Sequence, residues 1–326
     1  MAFSAQTATD LNDILAKANT FFGGQGWTVN SFIDDASKYG GDVFTGKRLH
    51  LQKTMATEAG NVTVYANLRS ANNQTVYEFG GTQASYKLTG IACNCSRGYD
   101  AGESWDYQPD STNEYSASSV AGGANIRKTS AITCHFYSGT HSGAIIMTGT
   151  DQWYAVSFGV TNLGVPFYAC SGGHQPNYSG DNYGWAKGML TITGTSNNAQ
   201  LYGSALWKEE NSKWTHVATY SGITYLRSNS HAPPYPDTPS RYLIEATPDQ
   251  YTGNPLLAPS AFVSTDQPST YLPIVLMGNC PDITMVSMTN LDEAEVLTIS
   301  SDEWVCYSVN NDPTYGNIQW GYAIKK

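Results

Sequence analysis

The chain has 326 residues, 40% of them hydrophobic but only 13% charged, with 17 basic against 27 acidic side chains and a formal net charge of −10. A typical soluble domain carries about 25% charged residues, so the surface is expected to be neutral and polar, with little repulsion to oppose docking against copies or partners. The acidic balance excludes a basic field for nucleic acid or an anionic membrane, and no run of about 18 apolar residues offers a membrane span.

After Met1 the stretch Ala2-Phe3-Ser4-Ala5-Gln6-Thr7 has neither the charged nor the apolar part of a leader, so a chain made and kept in a cytoplasm is expected. Next, Leu11, Ile14, Leu15, Ala18, Phe21 and Phe22 recur at helical spacing, which predicts a helix capped by Thr7 or Thr9 and stopped at Gly23-Gly24, with Gly26 just beyond. One apolar stripe needs a partner, and the sheet starting near Trp27-Thr28-Val29 is the most economical one. From Arg48 onward period-two segments dominate: Arg48-Leu49-His50-Leu51-Gln52, then 61–68, 85–91, 143–148, 152–160, 188–193, 296–299 and 304–309. A hairpin is expected over 200–220, its strands 201–207 and 213–219 joined by Lys208-Glu209-Glu210-Asn211-Ser212. Prolines at 233, 234, 236, 239, 248, 255, 259 and 268 predict an extended, wrapping segment that embraces a neighbour or another domain.

These elements describe a mainly β protein, α+β at the N-terminus, with antiparallel sandwich-like sheets, one amphipathic helix and a proline-rich extended segment. Three parts are expected: 1–90, helix plus sheet; 91–230, a central β domain with the hairpin; and 231–326, the proline-rich segment and C-terminal strands.

No Gly-x-Ser-x-Gly elbow, phosphate-cradling glycine loop, His-Glu-x-x-His helix or EF-hand loop occurs. Asp100, Glu103, Asp106, Asp110 and Glu114 form an acidic run that could supply an acid and a base, but such a run is more often a solvated loop. Cys93, Cys95, Cys134 with His135, and Cys170 with His174 are zinc-type ligands in a spacing that is no recognised finger. Cysteines of this kind, Cys280 and Cys306 included, are expected to be buried and reduced, with zinc or a disulfide as alternatives. Trp153, Trp185, Trp207 and Trp214 could stack on sugars or fill a core. His50, His141, His216 and His231 stand isolated. No catalytic, cofactor or metal residue is assigned.

The order of elements resembles a family of minor virion structural proteins of tailed bacteriophages, associated with the tail and its ends. The resemblance rests on the helix closed by Gly26-Trp27, the strand 48–52 followed by 61–68, Asp151-Gln152-Trp153-Tyr154-Ala155-Val156 and Cys170-Ser171-Gly172-Gly173. At the C-terminal end it rests on Tyr271-Leu272-Pro273-Ile274-Val275-Leu276, the segment 296–304, and Gly316-Asn317-Ile318-Gln319-Trp320-Gly321-Tyr322-Ala323-Ile324-Lys325-Lys326. The chain departs from the family at Tyr307-Ser308, where an aromatic-proline step is common, and at Cys93-Asn94-Cys95. What the resemblance implies is a homo-oligomeric tail, baseplate, neck or fibre-attachment component of the virion, without enzymatic activity or cofactor, whose partners are copies of itself and other virion proteins. A host-glycan adhesin is the alternative, and a polysaccharide hydrolase the less favoured one.

Overall fold

The computed structural model describes residues 1–35, 38–39, 42–43, 46–75, 87–105, 107–111, 122–125, 132–148, 153–172, 205–208, 212–216, 218–220, 257–264, 275–288, 291–308 and 320–326. The protein is mainly β, with one helix near its N-terminus and antiparallel sheets. In chain order come β1 (Ala2–Ala8), α1 (Leu11–Gly24), β2 (Thr28–Asp35), β3 (Lys38–Tyr39), β4 (Asp42–Val43), β5 (Gly46–Thr57), β6 (Gly60–Thr75) and β7 (Lys87–Ser96). There follow β8 (Gly122–Asn125), β9 (Ile132–Ser138), β10 (Ser142–Thr148), β11 (Trp153–Val160), β12 (Pro166–Gly172), β13 (Ala205–Lys208) and β14 (Lys213–His216). The last are β15 (Ala218–Tyr220), β16 (Leu257–Ser264), β17 (Val275–Ser287), β18 (Val296–Ile299), β19 (Asp302–Ser308) and β20 (Trp320–Lys325).

The strands form a five-stranded sheet ordered β2-β5-β6-β7-β8, a seven-stranded sheet ordered β1-β9-β10-β11-β12-β13-β14, a six-stranded sheet ordered β15-β16-β17-β20-β19-β18, and the small pair β3-β4. Sheet membership interleaves along the chain: β1 joins the seven-stranded sheet, while β2 and β5 to β8 build the five-stranded one. The expected hairpin is present as β13 and β14, with Trp207 opposite Trp214, but the chain then enters the six-stranded sheet as β15. Within the proline-rich stretch, 257–264 is strand β16, paired on both sides. Pro259 sits there beside a register shift, where a missing donor is tolerated. The rest of that stretch up to residue 274, and the strand expected at 188–193, lie outside the described residues.

Helix α1 buries Ile14, Leu15, Ala18, Phe21 and Phe22, the face its periodicity predicts. Its cap is Asp10, in place of the expected Thr7 or Thr9. Strand β1 runs through Ala8 and takes Thr7 with it, leaving Asp10 to accept from the Asp13 amide at 2.8 Å. Asp13 in turn accepts from the Thr9 amide at 2.8 Å, a reciprocal arrangement that also places carboxylates at the positive end of the helix. The helix continues through Gly23 and Gly24, and Gly26, at φ +77°, supplies the left-handed exit.

The three larger sheets are stacked. One core lies between the five- and seven-stranded sheets, where α1, Leu49, Leu51, Leu68 and Cys93 meet Phe136, Ile145, Val156 and Phe158. A second lies between the seven- and six-stranded sheets, where Tyr137, Ile146 and Phe167 meet Ile283, Val305, Tyr307 and Ile324. In this seam the Tyr307 hydroxyl lies 2.5 Å from both the Tyr137 hydroxyl and His135 Nδ1. The middle sheet is thus covered on both faces, which explains why Ala144-Ile145-Ile146-Met147 reads as a continuous apolar run instead of an alternation.

The turn from β9 to β10, residues 138–142, is gripped from both sides. From one side, Trp27 Nε1 donates to Ser138 Oγ at 3.0 Å, and Lys53 Nζ, lying over the Trp27 ring, donates to the Gly139 carbonyl at 3.2 Å. From the other side, buried Asp282 of β17 accepts from the His141 amide at 2.7 Å and from the hydroxyls of Thr140 and Ser142 at 3.1 Å. Burial pushes Lys53 below its ordinary value, and the Asp282 carboxylate opposes that shift. A Cβ at residue 139 would stand 2.2 Å from Asp282 Oδ2, so glycine is required there.

Asp282→Ala leaves the part-buried His141 amide and the Thr140 and buried Ser142 hydroxyls without their acceptor and is expected to cost about 2 kcal/mol in urea denaturation. Gly139→Ala is expected to cost about 2 kcal/mol alone and much less in the Asp282→Ala background, because the clashing carboxylate is gone. Strict additivity would refute the contact.

Candidate functional site

Alternation along β5, β6 and β7 sends Leu49, Leu51, Ala66, Leu68, Cys93 and Cys95 into the first core. The intervening residues therefore share the opposite face, and the strand register aligns them in rows: Arg48, Arg69 and Ala92; His50, Asn67 and Asn94; Gln52, Tyr65 and Ser96. A sheet face this polar is ordinarily left in water. Here His50, Asn67, Arg69, Asn94 and Ser96 are buried, because the described residues of the loop 97–111, which are 97–105 and 107–111, fold back over them.

The loop closes on itself. The Arg97 amide donates to the Pro109 carbonyl at 3.0 Å, bringing its ends together. Inside, buried Gln108 works as an internal spacer. Its Oε1 accepts from the Asp100 amide at 2.8 Å, and its Nε2 donates to the carbonyls of Asp100 and Ser104 at 3.0 and 2.9 Å. Asp100 Oδ1 accepts from the Gly102 amide at 2.8 Å, a local turn. The loop then seats on the strands: the Tyr99 ring lies 5.3 Å from the His50 ring, and the buried Trp105 ring lies 6.0 Å from the Arg69 guanidinium. Arg48 donates to the Glu103 carbonyl at 3.1 Å, and Ser96 Oγ donates to the Gly98 carbonyl at 2.8 Å. From the far side Trp214 Nε1 donates to the Asp110 carbonyl at 2.7 Å, and the Arg97 guanidinium stacks on Trp207.

Beneath this roof the hydrogen bonds run in one sense. Asn67 Nδ2 donates to Asn94 Oδ1 at 2.8 Å and to Ser96 Oγ at 3.0 Å, so the Asn67 oxygen is what faces His50 Nδ1 at 2.8 Å. That oxygen can only accept, and His50 Nδ1 therefore carries the proton. Burial pushes the imidazole down to about 4; the Asn67 bond and Asp35 oppose this, and Arg48 adds to it. Beside it Arg69 Nε lies 2.8 Å from Asp35 Oδ2 in a buried ion pair. At neutral pH the centre holds an uncharged histidine, which is too weak a base to be poised for proton transfer near pH 7.

The residues singled out by the sequence fall into place around this frame. Of the acidic run, Asp100, Glu103 and Asp110 belong to the roofing loop, while Asp106 and Glu114 lie outside the described residues. Cys93 and Cys95 face the first core, as does Cys134 from the opposite sheet, but His135, the next residue on β9, faces the other seam. Among the described residues no three of His, Cys, Asp and Glu come together as a metal set. Burial pushes the Cys134 and Cys306 thiols up to about 12 and the Cys280 thiol higher than its ordinary value, which leaves them inert. The side chain of Cys170, and His174, lie outside the described residues, as do Trp185, His231 and the side chains of Trp153 and His216. Trp207 and Trp214 are buried against each other edge-on, 5.7 Å apart, which removes them as sugar platforms. The sequence reading left His50 isolated and missed the Asn67–Asn94 row; the signal was polar residues alternating with core residues on adjacent strands. No described helix is long and apolar enough to cross a membrane. No protein-family model matches the chain, and no curated protein matches it.

The histidine sets a pH dependence. Unfolded, it takes its proton near 6.5; folded, near 4. The unfolded state therefore binds more protons between those values, so stability is full above pH 6.5 and falls as the pH drops towards 4. Between neutral pH and the acid end of that window the wild type is expected to lose about 3 kcal/mol more than His50→Gln, read from urea denaturation midpoints. Equal slopes for the two proteins would contradict the buried neutral histidine.

Proposed function

We propose that the chain is a non-catalytic structural subunit of a tailed-phage virion, a tail, baseplate, neck or fibre-attachment protein that joins copies of itself and other virion proteins. The observation that carries this reading is β1. It forms an edge of the seven-stranded sheet and, among the described residues, pairs on one side only, with all seven residues in register against β9 and no bulge. Ala2-Phe3-Ser4-Ala5-Gln6-Thr7-Ala8 contains no charge, no proline and no glycine. Free edges are normally blunted by such devices, because a clean edge recruits another strand.

The choice of a second copy follows from charge. The charge that the chain carries is net acidic, −10, and an edge free of charge is where two copies meet with no like charges opposed. An antiparallel pair centred on Ala5 sets Ala2 against Ala8, Phe3 against Thr7 and Ser4 against Gln6, with no like charges opposed. The low overall charge and the resemblance of the element order to virion proteins support the same reading, with assembly in the host cytoplasm and residence in the particle.

Light scattering on the purified chain, alone and mixed with purified phage tails, is expected to give a discrete oligomer or a shift to a large complex. Ala5→Lys with Thr7→Lys, both exposed positions, is expected to yield a monomer whose unfolding midpoint is within about 0.5 kcal/mol of wild type. A wild-type monomer inert toward tails would sink the proposal.

A further inference from the structure

We infer that the roofed space between loop 97–111 and the polar face of β5 to β7 is a binding site for resident water, held by His50, Asn94, Trp105 and Arg48. Each of these side chains carries a buried nitrogen with no hydrogen-bond partner: His50 Nε2, Asn94 Nδ2, Trp105 Nε1 and Arg48 Nε. His50, Asn94 and Trp105 are 1%, 0% and 0% exposed, so bulk solvent does not serve them. Groups of this kind in a folded protein are almost always satisfied, by ordered water where no protein atom reaches.

The chemistry of the four nitrogens selects the occupant. His50 gives its Nδ1 proton to Asn67, so Nε2 offers a lone pair and needs a donor. Asn94 uses its oxygen to accept from Asn67, so its amide hydrogens need an acceptor, as do the indole and guanidinium N–H groups. The protein atoms cannot satisfy one another. β5 and β7 flank β6, which sets His50 and Asn94 roughly 9 to 10 Å apart at the backbone, and Asn67 fills the interval. An anion would accept from the three donors but meet the His50 lone pair with a lone pair of its own. Water both donates and accepts, and a buried water typically makes about three hydrogen bonds. It can donate to His50 Nε2 while accepting from Asn94 or Trp105.

The loop is what makes this a site. Tyr99 covers His50, Trp105 covers Arg69, and the Arg48 and Ser96 bonds to the Glu103 and Gly98 carbonyls close the sides. Water held there exchanges when the loop lifts, which gives it a residence time longer than molecular tumbling.

Oxygen-17 magnetic relaxation dispersion on the full chain tests this. The wild type is expected to show long-lived water, and the dispersion amplitude is expected to fall in His50→Leu combined with Asn94→Leu. An unchanged amplitude in a folded double variant would overturn the inference. Should that variant not fold, crystals of the wild type decide. A water peak within about 3.2 Å of both His50 Nε2 and a donor among Asn94 Nδ2 and Trp105 Nε1 supports the site. A protein atom there, or an anomalous bromide peak after a bromide soak, overturns it.

Discussion

The architecture hangs on one short turn. Residues 138–142 join two strands of the middle sheet, and the sheets on either side both reach into that turn, with Trp27 and Lys53 from one and Asp282 from the other. A stack of three sheets has two independent cores, each of which could slide on its own. A polar clamp common to both fixes the sheets relative to a single point, because hydrogen bonds impose direction where apolar packing does not. The glycine at 139 is the steric condition for that clamp. Without it the carboxylate could not lie against the backbone of the turn.

Covering the middle sheet on both faces shapes everything placed around it. Its strands need apolar residues at consecutive positions, and the five-stranded sheet, with α1 against one face, has its other face left over. That remaining face is polar by composition yet buried in fact, and the loop 97–111 resolves the conflict with its own backbone. Gln108, Trp105 and Tyr99 convert an acidic surface run into a lid over His50, Asn67 and Asn94. The buried thiols have no part in this chemistry. They pack as small apolar groups, as cysteines inside a sheet commonly do.

Much of the β framework was legible because its signals are local. The helix stripe, the alternation at 48–52 and 61–68, and the hairpin with Trp207 opposite Trp214 each follow from side chains a few residues apart. What could not be read depends on distant partners. Strand β1 is built of Ala, Phe, Ser, Gln and Thr, of which only Phe3 and Thr7 favour a strand, and it is a strand because β9 pairs with it. The helix cap moved to Asp10 for the same reason, since that strand claims Thr7. The roofed site was invisible because His50, Asn67 and Asn94 come from three separate strands, and only the register brings them into a row. A tryptophan at 105 inside an acidic run was the one local hint that the run is folded.

The pairing of β1 with β9 also bears on timing. Made before their partner, β1 and α1 must wait until more than a hundred residues later in the chain before Ile132–Ser138 exists to receive them. Contacts so far apart in sequence are slow to form, and the loop they close is costly in chain entropy. The seven-stranded sheet therefore cannot gain this edge until the chain has been made past residue 138, after the strands of the five-stranded sheet. A chain halted before residue 132 therefore lacks this edge of the sheet altogether.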